Sequence, residues 1–142
     1  MVVKRPIEVA GNWLQTAEVA FGAEKYEQSL YSLEMAVEIA FKAVLESVHV
    51  EVPKVHDTRR TIRTFLTGNK KMPKDFLEQL DDYLLIFEGL LRIRSMVGYG
   101  FESNMDKEQL AGEARKLLPK CAKIVSSCEK AIKNAEKSNS GS

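Results

Sequence analysis

The chain has 142 residues, room for one domain of ordinary size and little for two. Apolar residues make up 44% and charged residues 29%, a balance that excludes a disordered tail protein and a collagen-like chain. Lys and Arg number 21 against 20 Asp and Glu, so net charge alone points to neither nucleic acid nor a membrane surface.

Apolar residues return every three or four positions almost throughout, and no stretch alternates with period two for long. The chain is therefore expected to be all-α. A first helix is expected over 6–21, opened by Pro6, whose missing N–H costs nothing in a first turn, and stopped by Gly22. Ile7, Ala10, Leu14, Ala17 and Phe21 form its apolar stripe. A second is expected over 25–48. Leu30, Leu33, Val37, Phe41, Val44 and Val48 share one face, while Met35, Ala36, Ile39 and Ala43 lie on the other side. A helix apolar on two sides is expected to be central. Glu38 and Lys42 stand in the favourable i,i+4 order.

Residues 50–57 read as a connector stiffened by Pro53, and 58–66 as a short third helix. The fourth helix is expected over 74–97, broken by Gly98-Tyr99-Gly100. Asp106 and Gln109 resemble a capping box at the start of a long fifth helix, whose seam runs through Leu110, Ala114, Leu117, Cys121, Val125, Cys128 and Ile132. Pro119 is expected to kink or divide it. The expectation is an up-and-down bundle of four to five helices with a long C-terminal helix. It is read as a single domain over 1–137 with a disordered tail over 138–142. No apolar run reaches the ~20 residues a membrane helix needs, and no signal-peptide core follows the N-terminus. Two cysteines are too few for a disulfide scaffold, so a cytoplasmic protein is expected.

Arg94 departs from this ordinary pattern. At about 100° per residue it falls within the stripe of Phe76, Leu80, Tyr83, Leu84, Phe87, Leu90 and Leu91, whereas Arg92 points away. A guanidinium on a buried face needs a partner or a wet cleft. Alternatively it serves the last carbonyls of its own helix. Tyr99, between two glycines, is either returned towards Arg94, where phenol and guanidinium grip a phosphate or sugar, or packed in an ordinary helix stop.

The segment 54–74 carries Lys54, Arg59, Arg60, Arg63, Lys70, Lys71 and Lys74 against Asp57 alone, while residues 7–51 hold eight Glu and two Lys. That asymmetry suits phosphate attraction, or plain solvation, or pairing with the acidic half of a second subunit. Histidine is the residue type suited to proton transfer near neutral pH, and Asp57 stands beside His56 where it could orient the ring, though Asp57 also suits the N-cap of the third helix. Neither His49 nor His56 has companions at metal-ligand spacing, and no phosphate loop, serine-nucleophile or metalloprotease motif occurs. The sequence thus assigns no cofactor and no metal.

Three pieces of the chain resemble the HEPN domain family. The stretch from Tyr26 to Leu45, YEQSLYSLEMAVEIAFKAVL, is similar to the family's second helix. Lys54-Val-His-Asp57 resembles its His-bearing entry to the next helix. Arg94-Ser-Met-Val-Gly-Tyr99-Gly-Phe101 resembles its Arg-x4-6-His element and trailing Gly-Tyr.

The resemblance implies a helical bundle that forms a homodimer. In active members Arg and His from both subunits line a cleft that cleaves RNA without a metal. Some members are toxins paired with a small nucleotidyltransferase antitoxin, and others bind nucleotides or act as interaction modules. Here Tyr99 stands where the histidine belongs, and tyrosine, with a pKa near 10, is a poor acid–base group at pH 7. The expectation is a dimeric nucleotide- or RNA-phosphate-binding module, catalytically weak or inactive. Its ligand would be held by Arg94, Ser95, Tyr99, Lys54, Arg59 and Arg63, with a nucleotidyltransferase as a possible partner. One alternative is an active metal-independent ribonuclease using Arg94 with His56 or Tyr99. Another is a structural module in which Arg94 pairs across subunits with Glu34 or Glu38.

Overall fold

A computed structural model of the chain describes residues 5–97 and 105–140. They form α1 (Pro6–Gly22), α2 (Tyr26–Ser47), α3 (Arg59–Leu66), α4 (Lys74–Val97) and α5 (Lys107–Ser140). No strand occurs among them. The all-α bundle with a long last helix is therefore as expected, with boundaries moved by a residue or so. The Gly98-Tyr99-Gly100 turn lies outside the described residues. None of the helices is long and apolar enough to cross a membrane.

The two-sided apolar pattern of α2 has its expected result. This helix packs most extensively against α1 and α5, then against α4, and least against α3. Leu30, Leu33, Ala36, Val37, Ala40, Phe41, Ala43, Val44 and Leu45 are all buried. Alanine supplies most of the buried positions of α1 (Ala10, Ala17 and Ala20), which lets that helix approach closely. Ser29 sits in the same buried zone and is satisfied by donating to the Ala17 carbonyl at 2.8 Å. Phe41 and Phe87 stack across α2 and α4 with ring centroids 5.8 Å apart.

The start of α5 is the reciprocal capping box the sequence suggests. Gln109 N donates to Asp106 Oδ1 at 2.8 Å, and Asp106 N donates to Gln109 Oε1 at 2.9 Å. Division at Pro119 does not occur, because α5 runs through it as one helix of 34 residues, about 51 Å long. Pro119 faces solvent, where water can take up the carbonyl it frees, while Leu117 and Cys121 hold the seam on either side. The helix also continues to Ser140, three residues into the stretch expected to be a tail. Asn139 Nδ2 donates to the Ser47 carbonyl at 3.3 Å, tying this end to α2. Cys121 and Cys128 are buried in the seam, and burial pushes both thiols up, that of Cys121 to about 12.

Asp57 was expected to cap α3. Thr58 occupies the cap position instead, its carbonyl accepting from Ile62 N at 2.9 Å while its side chain is buried. Asp57, one residue earlier, accepts from Arg59 N at 3.2 Å and grips the Arg59 guanidinium at 2.9 and 2.8 Å. That side-chain pairing holds the Asp57 carboxyl below its ordinary range.

Helices α1 and α2 end in the same way. Lys25 N reaches back to the Ala20 carbonyl, and Val50 N to the Leu45 carbonyl, with Glu24 and His49 left-handed at φ +60° and +62°. This is the Schellman geometry that glycine usually occupies. The Gly22 stop expected for α1 is thus displaced, since Gly22 is the last helical residue and the reversal falls on Glu24. The left-handed conformation costs a non-glycine residue about 1–2 kcal/mol, partly offset by the lower chain entropy of the side-chain-bearing residue in the unfolded state. Replacing His49 with glycine should therefore stabilise the fold by about 0.5–1 kcal/mol, raising Tm by about 2–4 °C in a thermal melt.

Candidate functional site

Along α2, Tyr31, Glu34, Glu38 and Lys42 recur at three- and four-residue spacing, so they form one polar stripe on an otherwise apolar helix. The buried stripe of α4 carries Arg94 to that stripe. Its side chain is 19% exposed, and Nη1 donates to Glu34 Oε2 at 2.7 Å and approaches Glu38 Oε1 at 3.4 Å. The guanidinium lies over the Tyr31 ring, 5.0 Å from its centroid, a cation–π contact. Arg92 points out, as expected, and pairs with Glu88 at 3.1 Å. The Arg94–Glu34/Glu38 pairing expected across subunits is thus made within one chain.

Glu34 is fully buried, and its second oxygen, Oε1, has no partner among the described residues. Burial raises its carboxyl from the ordinary 4.5 to about 8. Hydrogen bonding to Glu38 and that residue's charge add to the rise, and Arg94 opposes it. The acid form of Glu34 therefore prevails at neutral pH. Glu38 also accepts from Lys42 Nζ at 3.2 Å, realising the i,i+4 pair read from the sequence.

The connector between α2 and α3 brings His56 to the same place. Its Nδ1 lies 3.0 Å from Glu38 Oε1, and its Nε2 lies 3.3 Å from Arg94 Nη2. The carboxylate favours the tautomer in which Nδ1–H donates to Glu38 and Nε2 accepts from Arg94. The ring remains 62% exposed. Sequence spacing offers His56 no metal-binding companions, yet the fold places ligand atoms of Glu34, Glu38 and His56 within 4.8 Å of one another. The cation among them is the Arg94 guanidinium itself, bonded to all three.

Beside Arg94 a groove of about 410 Å³ opens between α1, α2 and α4, lined among others by Trp13, Thr16, Gln28, Tyr31, Ile93 and Arg94. Trp13 and Tyr31 meet edge to face with centroids 6.0 Å apart. Both were missed by sequence reasoning. Their only signal is the position of Tyr31 on the stripe of Glu34 and Glu38. Ser95 is exposed next to Arg94, and Lys54 is exposed on the connector. Arg59 pairs with Asp57 and with Glu88 of α4 (3.1 Å), and Arg63 with Asp81 (2.9 Å). None of these four lines the groove. Tyr99 lies outside the described residues.

A family model described as the HEPN domain matches residues 3–137, nearly the whole chain. No curated protein and no solved structure matches it.

The raised Glu34 carboxyl has a consequence for folding. Between about pH 4.5 and 8 the folded chain binds more protons than the unfolded one, so this group's contribution is fully present below that window and is lost as pH rises through it. The urea midpoint of the wild type should fall between pH 5 and pH 8.5. Glu34→Gln, which keeps an acceptor for Arg94, should remove a part of that fall on the order of 2 kcal/mol.

Proposed function

The chain belongs to the HEPN domain family, and from that premise we propose that it is a nucleotide- or RNA-phosphate-binding module whose ligand occupies the groove between Trp13, Tyr31 and Arg94. The observation that carries this reading is the meeting of two aromatic rings and one guanidinium in a groove of about 410 Å³, within the size range of small-ligand sites. A base stacks on the aromatic wall, and Arg94 meets the phosphate. A guanidinium keeps its charge at any working pH, so the groove offers a permanent cation to the phosphate. Tyr99, in place of the family's histidine, makes the module a binder and a poor nuclease. A homodimer and a small nucleotidyltransferase partner follow from the family resemblance.

Trp13 is the chain's one tryptophan, so intrinsic fluorescence reports on the groove directly. Titration with AMP, ATP or a short oligoribonucleotide should quench Trp13 emission and raise Tm. Arg94→Lys, which keeps the charge opposite Glu34, should weaken binding about tenfold through loss of the planar fork, and Tyr31→Leu by a similar factor. No quenching and no Tm shift across these ligands would overturn the reading. Arg94→Ala serves less well, because it strands a buried acid.

A second reading rests on one contact, that of His56 with Glu38 and Arg94. Glu38 holding Nδ1–H leaves Nε2 unprotonated, and that nitrogen becomes a general base once a bound phosphate draws away the Arg94 N–H it accepts, placing the guanidinium on the phosphorane. An active, metal-independent ribonuclease of this kind should cleave single-stranded RNA in EDTA, with at least a hundredfold loss in His56→Ala. Absence of cleavage at high protein concentration would exclude it.

A further inference from the structure

The lysines of α5 form a feature apart from the Arg94 groove. Lys116, Lys123, Lys130 and Lys137 stand seven residues apart, two helical turns each, so they share one face of the helix. Lys123, Lys130, Lys133 and Lys137 line a second groove, about 580 Å³, between this face and the N-terminal half of α4. It shares no lining residue with the Arg94 groove. Lys123 to Lys137 spans about 21 Å along the helix. Asp75 is the one acid in its wall. Lys133 also pairs with Glu129 at 3.2 Å, but both side chains are at least half exposed, a geometry worth little. Lys123 and Lys130 have no acidic partner among the described residues.

Two further contacts hold the groove's floor in place. Asn134 Nδ2 donates to the Lys71 carbonyl at 2.7 Å, and Lys71 Nζ donates to Asn139 Oδ1 at 2.6 Å. These bonds lash the α3–α4 loop to α5, and Pro73 at the end of that loop enters the groove wall. The aromatic residues in its wall offer no stacking surface. Phe76 and Tyr83 are buried, and the Tyr83 hydroxyl is engaged by Ser127 Oγ at 2.7 Å.

We infer that this groove binds the phosphodiester backbone of a single-stranded nucleic acid, independently of base sequence. A row of ammonium groups at regular intervals along one rigid helix, interleaved with neutral hydroxyl and amide side chains, meets the needs of a polyanionic chain. Without exposed rings the contact is to phosphate and sugar, not to bases. The inference deepens the reading of the protein as an RNA-related module by supplying a surface longer than one nucleotide, on residues that the Arg94 groove does not use.

The test uses the full chain with a fluorescein-labelled oligouridylate and an oligothymidylate of equal length, by anisotropy across a salt series. Lys123→Ala/Lys130→Ala should weaken binding about tenfold and reduce the slope of log K against log salt by about 1.4, two contacts at ~0.7 each. Lys123→Glu/Lys130→Glu should abolish binding. Equal wild-type affinity for the two strands assigns recognition to phosphate alone, and tighter binding of the ribose strand, with both strands lost in the charge-reversed variant, adds the 2′-hydroxyl. Unchanged affinity in the charge-reversed variant would overturn the inference, as would a poly-glutamate chain binding as tightly as the oligonucleotides, which marks the face as a site for acidic protein. Mononucleotide quenching of Trp13 in the same lysine variants reads the Arg94 groove separately, so either proposal can fail while the other stands.

Discussion

A carboxyl group with no exposed surface sits in the central helix of this bundle, and Arg94 makes that tolerable. Burying Glu34 alone would cost several kcal/mol, enough to threaten the marginal stability of a domain this size. Two responses operate together. The acid keeps its proton, and a guanidinium from α4 supplies a short charge-assisted hydrogen bond. Because Arg94 is set by the stripe of α4 and Glu34 by the stripe of α2, the pair also specifies how those helices register. Replacement by apolar residues of similar volume is often neutral or stabilising for such buried pairs, so thermodynamic benefit alone does not account for this one. Arg94 of the pair also lines the aromatic groove.

The architecture was legible because it rests on periodicity. The double apolar stripe of α2 announced its central place, and the Asp106–Gln109 pair announced the start of α5 in atomic detail. What escaped depended on contacts distant in sequence. Whether Pro119 divides α5 turns on which way the ring faces, and it faces water. Asp57 stands one residue before the cap position, yet its carboxylate still accepts from Arg59 N, the first N–H of α3, while holding the Arg59 guanidinium. At the site, rotation about α4 placed Arg94 on the buried stripe, where it pairs with Glu34 and Glu38 of its own chain, the two acids that one alternative reading set across a subunit boundary. Joining His56 to that cluster needed the path of the connector from α2 to α3, and no spacing rule encodes that path.

The basic segment illustrates how a local charge count misleads. Arg59 and Arg63 are opposed by Asp57 of the segment itself and by Glu88 and Asp81 of α4, so part of its apparent excess is cancelled in the folded molecule. The less conspicuous lysines of α5 are spread over many residues and never form a run. Helical geometry concentrates them on one face, and the hydrogen bonds of Asn134 and Asn139 fasten Lys71 of the α3–α4 loop to the same helix. Cationic character on this protein is thus a property of the fold more than of any segment.

The two cysteines offer an unplanned convenience. Both thiols are shut inside the seam of α5 and resist ionisation, so an alkylating reagent meets them only when the helix lifts from its neighbours. Their rate of modification is a built-in clock for that opening event. A reporter dye can meanwhile be placed on any engineered surface thiol without first deleting the native pair.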